Sequence, residues 1–180
     1  MRRFAALLLA LALLLALALL LPLTPARAEE APLSRAAFTG LLWQSAGGVP
    51  WEVNPCYADV DTATPGAAAI CWAHDLGLSN GTGGGLFAPE RPITREEAAV
   101  LLRRWGNYLG RDTGAPLGLS LCNDNEGISP WADDSLYWAT SCGLIEWSPG
   151  GLLDPQGTLT ATQAQAVLER FSRGFGDAHA

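Results

Sequence analysis

Apolar residues recur at helical spacing in three stretches of the chain: Phe38, Leu41 and Leu42; Ala98, Leu101, Leu102 and Trp105; Ala164, Val167, Leu168 and Phe171. Steps of three and four put each set on one stripe of an α-helix. The spacing predicts helices over about 34–46, 94–105 and 160–172, meeting along those stripes at a shared centre. The start signals agree. Thr94-Arg95-Glu96-Glu97 and Thr160-Ala161-Thr162-Gln163 are capping boxes. Ser34 serves as the first cap, with Ala37 leaving its box incomplete. Gly47, Gly106 and Gly174 follow where a helix end favours a left-handed residue.

A shorter helix precedes two of these. Ile70, Ala73 and Leu76 form its stripe in one place, and Leu136, Ala139 and Cys142 in the other; Gly77 and Gly143 stop it. Turn-rich stretches run from Asn80 to Pro89 and from Trp147 to Pro155, each with one apolar pair, Leu86-Phe87 and Leu152-Leu153, expected to tuck onto the helices. Gly83-Gly84-Gly85 lacks the Lys and Ser/Thr of a phosphate-binding loop and reads as a flexible turn. The expectation is an all-α fold of five main helices joined by long loops, with no cofactor.

The whole pattern repeats at an offset of 66 residues: Trp72-Ala73 recurs as Trp138-Ala139, Gly77-Leu78 as Gly143-Leu144, and Cys56 finds Cys122. Such a period marks a small unit that buries its apolar face only by stacking on copies. It points to binding or scaffolding, since enzymes more often gather their chemistry at one asymmetric site. The division expected is a leader at 1–28, a partial unit at 29–50, a full unit at 51–110, a linker at 111–121, a worn unit at 122–174 and a tail at 175–180.

Charge narrows the partners. The 180 residues hold 11 arginines, no lysine and 18 acids, for a net charge of −7. Nucleic acid is excluded as a partner, because no basic stripe exists to displace counterions. Any anionic ligand must be held by a few placed arginines. The leader joins Arg2-Arg3, an apolar run from Phe4 to Leu21 and Ala26-Arg27-Ala28, the pattern of an export signal. An uncleaved membrane anchor is the alternative reading, the run being just short of a usual spanning length of about 20 residues.

Four cysteines in an exported chain suggest disulfides and admit three pairings. Cys56 with Cys71 and Cys122 with Cys142 closes short loops within each unit, each worth roughly 3 kcal/mol. Cys142 aligns with Leu76 rather than with Cys71, so a packed core thiol is its other reading.

The ordered set of motifs resembles the S-layer homology family. Tyr57-Ala58-Asp59-Val60 is similar to the family's aromatic-x-Asp-Val opening, Trp72-Ala73 and Gly77-Leu78 to its first helix, and Phe87-Ala88-Pro89 to its Phe-x-Pro. Ile93-Thr94-Arg95-Glu96-Glu97 is close to its Ile-Thr-Arg-Ala-Glu signature; Leu33-Ser34-Arg35-Ala36-Ala37 and Leu159-Thr160-Ala161-Thr162-Gln163 are less complete copies. The resemblance implies repeats packed as a pseudo-threefold bundle, with grooves that bind anionic, commonly pyruvylated wall polysaccharide linked to peptidoglycan. It implies a location at the cell wall or cell surface, with the signature arginine as main ligand contact.

On that basis Arg95 and Arg35 are the leading ligand contacts. A cation in a first helical turn opposes the helix dipole, by about 0.3–1 kcal/mol, so each calls for a reason to be there. A guanidinium can grip a carboxylate with two parallel hydrogen bonds. Thr94, Glu97, Asp59 and Trp72 complete the candidate set. Thr94 and Glu97 also read simply as a cap, and Trp72 as core. Ala161 has no group for an anion. Asp59-Val60-Asp61 falls short of a calcium loop, with Ala63 and Pro65-Gly66 where ligands and the glycine turn belong. Three functions stay open: a wall-polymer binding module, a worn scaffold contacting another exported protein, and a small secreted hydrolase. The half unit at the start leaves room for self-association, a second chain completing it.

Overall fold

The computed structural model describes residues 30–175, and residues 31–175 belong to one compact unit. The expected leader and the last five residues lie outside the described residues. Five helices form: α1 Arg35–Ser45, α2 Ala67–Asp75, α3 Arg95–Tyr108, α4 Ser135–Ser141 and α5 Ala161–Phe175. The described residues contain no strand, only isolated bridges. No described helix is long and apolar enough to cross a membrane.

The caps work as their sequences require. Thr94 accepts from the Glu97 N–H while Glu97 reaches back to the Thr94 N–H. Thr160 and Gln163 do the same, and Ser34 accepts from the Ala37 N–H alone. The stops are partly different. Gly47 lies just past α1 with φ +100°, but Gly106 is inside α3, which ends before Gly110, and Gly174 is inside α5. Gly106 is there for contact: a Cβ would stand 2.8 Å from Thr113 Cγ2. The linker expected at 111–121 also ends in a 3-10 turn, Leu119–Leu121, and a second follows at Asn125–Gly127.

The stripes meet. Phe38 and Leu42 of α1, Ala98 and Leu102 of α3, Leu136 of α4 and Ala164, Val167, Leu168 and Phe171 of α5 share one buried cluster. Each such leucine contributes about 2 kcal/mol by burial. α1 packs on α2 and α5, and α3 on α4. Phe38 and Leu42 of the half unit are thus buried within this chain, while Leu41 and Trp43 are half-buried. Cys142 departs from its expected stripe and is exposed. Of each loop pair only the second member tucks in: Phe87 and Leu153 are buried, while Leu86 is exposed.

Backbone just before a helix has no helical partner and must find one elsewhere when buried. Here the three residues ahead of the caps serve one another. Leu33 N–H donates to Leu159 O (2.7 Å), Ile93 N–H to Leu33 O (2.9 Å), and Leu159 N–H to Ile93 O (3.4 Å). The three long-helix starts are therefore held in a closed ring.

Candidate functional site

The ring brings each signature arginine over a loop of the next unit. Arg35 Nε donates to Phe87 O at 2.8 Å, and Arg95 Nε donates to Leu153 O at 2.8 Å. Both arginines are buried, and burial lowers both guanidinium pKa values below the ordinary arginine range. Their remaining partners differ. Arg35 Nη1 meets Glu97 Oε1 at 2.9 Å, with its Cζ 4.7 Å from the Phe87 ring centre. Arg95 Nη2 donates to Glu146 O at 2.7 Å, with Asp154, Asp124 and Glu146 supplying nearby negative charge.

An aspartate holds each receiving loop from the other side. Asp59 accepts from the N–H groups of Phe87 (2.8 Å) and Ala88 (2.7 Å). Asp124 accepts from Leu153 (3.0 Å) and Asp154 (2.6 Å). Burial pulls the Asp59 carboxyl up, but the two backbone donors outweigh it and hold it below the usual range. These ties secure a left-handed residue in each loop, Ala88 at φ +58° and Asp154 at φ +50°. Asp124 stands 65 residues after Asp59, one short of the repeat, so a fixed-offset comparison passes over it.

A cleft of about 520 Å³ opens beside this framework. Arg35, Thr94 and Glu97 line it, as three of the six ligand candidates. Arg95, Asp59 and Trp72 do not line it. Asp59 holds the Phe87-Ala88 backbone. Trp72 is buried and packs edge-on against Trp105 at 5.3 Å. Arg95 is 6% exposed and spends two nitrogens on backbone carbonyls, so the helix-dipole argument finds its reason in packing.

Sequence reasoning missed other members. Arg91 and Arg104 add two cations to the cleft, and Trp131, 54% exposed, adds a ring. Trp131 lies outside every helical stripe, and a large aromatic with no stripe to join is the signal that could have found it. Arg91 pairs with Glu97, which thereby carries two guanidinium groups. Burial pulls the Glu97 carboxyl up; Arg35, the Thr94 N–H and Arg91 together outweigh it, and its pKa lies below the ordinary value. Glu96 takes the place of the alanine in the family signature and is buried. It accepts from Ser129 N–H (2.9 Å), Ser129 Oγ (2.8 Å) and Gln156 Nε2 (2.9 Å), tying α3 to the last unit.

All four cysteines carry free thiols, so neither expected bridge is present in the structure. The two pairs are not alike. Burial, then a hydrogen bond with Cys71, pushes the Cys56 thiol up to about 12. Cys122 is raised by burial and Asp124, and Cys142 by burial and Asp112, so those two face different neighbours. No group of three or more potential metal ligands occurs among the described residues.

The chain matches the family model of the S-layer homology domain over residues 57–99, within the middle unit. It is 28% identical over 136 residues, 76% of its length, to "Exoglucanase XynX" of Acetivibrio thermocellus, of which the match covers 12%. It is 27% identical over 135 residues to "Cell surface protein" of Thermoanaerobacter kivui, covering 74% of this chain and 17% of that one. It is 31% identical over 113 residues to "Cellulosome-anchoring protein" of Acetivibrio thermocellus, covering 57% and 25%. The chain spans about a tenth of the length of the first of these curated relatives.

Proposed function

We propose that this protein is a surface-anchoring module that binds an anionic wall polysaccharide in the cleft, by recognition and not by catalysis. The observation that carries this is the meeting of Arg35, Arg91 and Arg104 with a half-exposed Trp131 at one cleft, in a chain of net charge −7. Where acids dominate, an anionic polymer is repelled everywhere else. The Arg104 fork, which has no carboxylate partner among the described residues, suits the carboxylate of a pyruvylated sugar, and Arg35 and Arg91 add positive charge that Glu97 partly offsets. The Trp131 ring offers an apolar face to a sugar ring, and Thr94 and Glu97 offer oxygens to its hydroxyls. Arg95, Asp59 and Trp72 serve the ligand indirectly, by holding the loops and core around the cleft.

The three units form a pseudo-threefold bundle in this reading, supported by the closed ring through Leu33, Ile93 and Leu159. The protein is exported and acts at the cell surface, a location in keeping with its cell-surface and cellulosome-anchoring relatives. A second reading, a scaffold for another exported protein, is favoured by one feature: the third signature has Ala161 and Gln163 in place of arginine and glutamate.

The test is a pull-down on purified cell-wall sacculi before and after extraction of the secondary polymer. Binding that disappears with the polymer supports the anchoring reading. Binding that survives extraction, or no binding at all, overturns it and moves the choice to the scaffold.

A further inference from the structure

Arg104 on α3 and Arg170 on α5 are 66 residues apart and anchored alike. Arg104 Nη1 donates to Leu78 O at 3.0 Å, and Arg170 Nη1 to Leu144 O at 3.1 Å. They differ in what faces the rest of the fork. Arg170 Nη2 is paired with Glu146 Oε1. The residue 66 positions before Glu146 is Asn80, which is neutral and lines the cleft together with Arg104. Among the described residues no carboxylate pairs with Arg104; burial, then the Tyr57 side chain, are the influences on its guanidinium.

Glu146 engages the second position twice. Its carboxylate sits on Arg170, and its backbone carbonyl takes Nη2 of Arg95, the counterpart of Arg35. The second position also lacks a counterpart of Arg91, because Gly157 stands there. An exposed carboxylate on a guanidinium satisfies the same fork that a ligand carboxylate would use, and it repels a second anion.

We propose that anionic ligand is taken at only one of these two equivalent positions, the one built on Arg104, because Glu146 acts as a built-in occupant of the other. This rests on the cleft being the glycan site, and it adds a residue that sets how many ligands a chain holds.

The experiment is isothermal titration with the methyl glycoside of a 4,6-pyruvylated hexose, each variant first checked by circular dichroism and thermal unfolding. Wild type takes up one molecule per chain. Arg104→Gln weakens binding tenfold or more, as loss of a charged hydrogen-bonded contact does, and Arg104→Lys, keeping the charge without the fork, falls between. Arg170→Gln stays within twofold of wild type. Glu146→Asn copies Asn80 into the second position and raises the stoichiometry to two, and adding Arg170→Gln returns it to one. The inference is overturned if wild type binds two, if Arg170→Gln weakens binding as Arg104→Gln does, or if Glu146→Asn stays at one. A wild type that binds none of the probe overturns the reading of the cleft itself, and this inference with it.

Discussion

Replacing Arg95 by methionine keeps the aliphatic stem and removes the guanidinium. Two hydrogen bonds from a charged donor go with it, to Leu153 O and Glu146 O. Their losses are unequal. Leu153 is fully buried, so its carbonyl is left without that donor, at about 1–3 kcal/mol. Glu146 is exposed, and water replaces the second bond cheaply. Relief from burying a guanidinium offsets part of the remainder. The net loss comes to about 1–3 kcal/mol, or roughly 2–12 °C of Tm for a domain of this size. Thermal unfolding by far-ultraviolet circular dichroism measures it, with Arg173→Met, at an exposed position late in α5, expected within 1–2 °C of wild type. Sacculus binding well below the lowered Tm is retained, because Arg95 holds the loop and does not line the cleft. A Tm unchanged to within about 2 °C, together with a tenfold loss of binding, would refute the reasoning and make Arg95 a direct ligand contact.

Glu97→Gln tests the charge cluster at the cleft. Because the folded-state pKa of Glu97 lies below the ordinary 4.5, its contribution to stability is complete above that value. It is lost as pH falls through the lower, folded value. Urea midpoints measured from pH 7 downward should therefore fall less steeply at the acid end in Glu97→Gln than in wild type; parallel curves count against the pairing with Arg35 and Arg91. The thiols should differ in accessibility. In the reduced protein exposed Cys142 is alkylated first and buried Cys71 last. On oxidation, non-reducing peptide mapping should recover Cys56 joined to Cys71, and recovery of Cys56 joined to Cys122 instead overturns that expectation.

The helices were legible in the sequence because their signals are local. A stripe at spacings of three and four, a capping box and a glycine stop each act within a few residues, so α1, α3 and α5 could be placed and their leucines sent to one core. Gly106 and Gly174 are exceptions, both lying inside their helices, and at Gly106 the reason is not local: Thr113 needs the space. The site was legible only in outline. Arg35 and Arg95 both open their helices against the dipole, and the local difference between them, Ala36-Ala37 after one and Glu96-Glu97 after the other, does not say which lines the cleft. Tertiary structure does, by setting Glu97 beside Arg35 and the Leu153 and Glu146 carbonyls on Arg95. Asp124 was hidden by a one-residue slip in the repeat, and Trp131 and Gln156 reach α3 from the last unit. The contrast of Asn80 with Glu146 takes on meaning only once Arg104 and Arg170 are found above them, 24 residues further along the chain. Local order was written in the periodicity; which of the cleft's arginines lacks a carboxylate partner was decided by charges that meet only after the helices have packed.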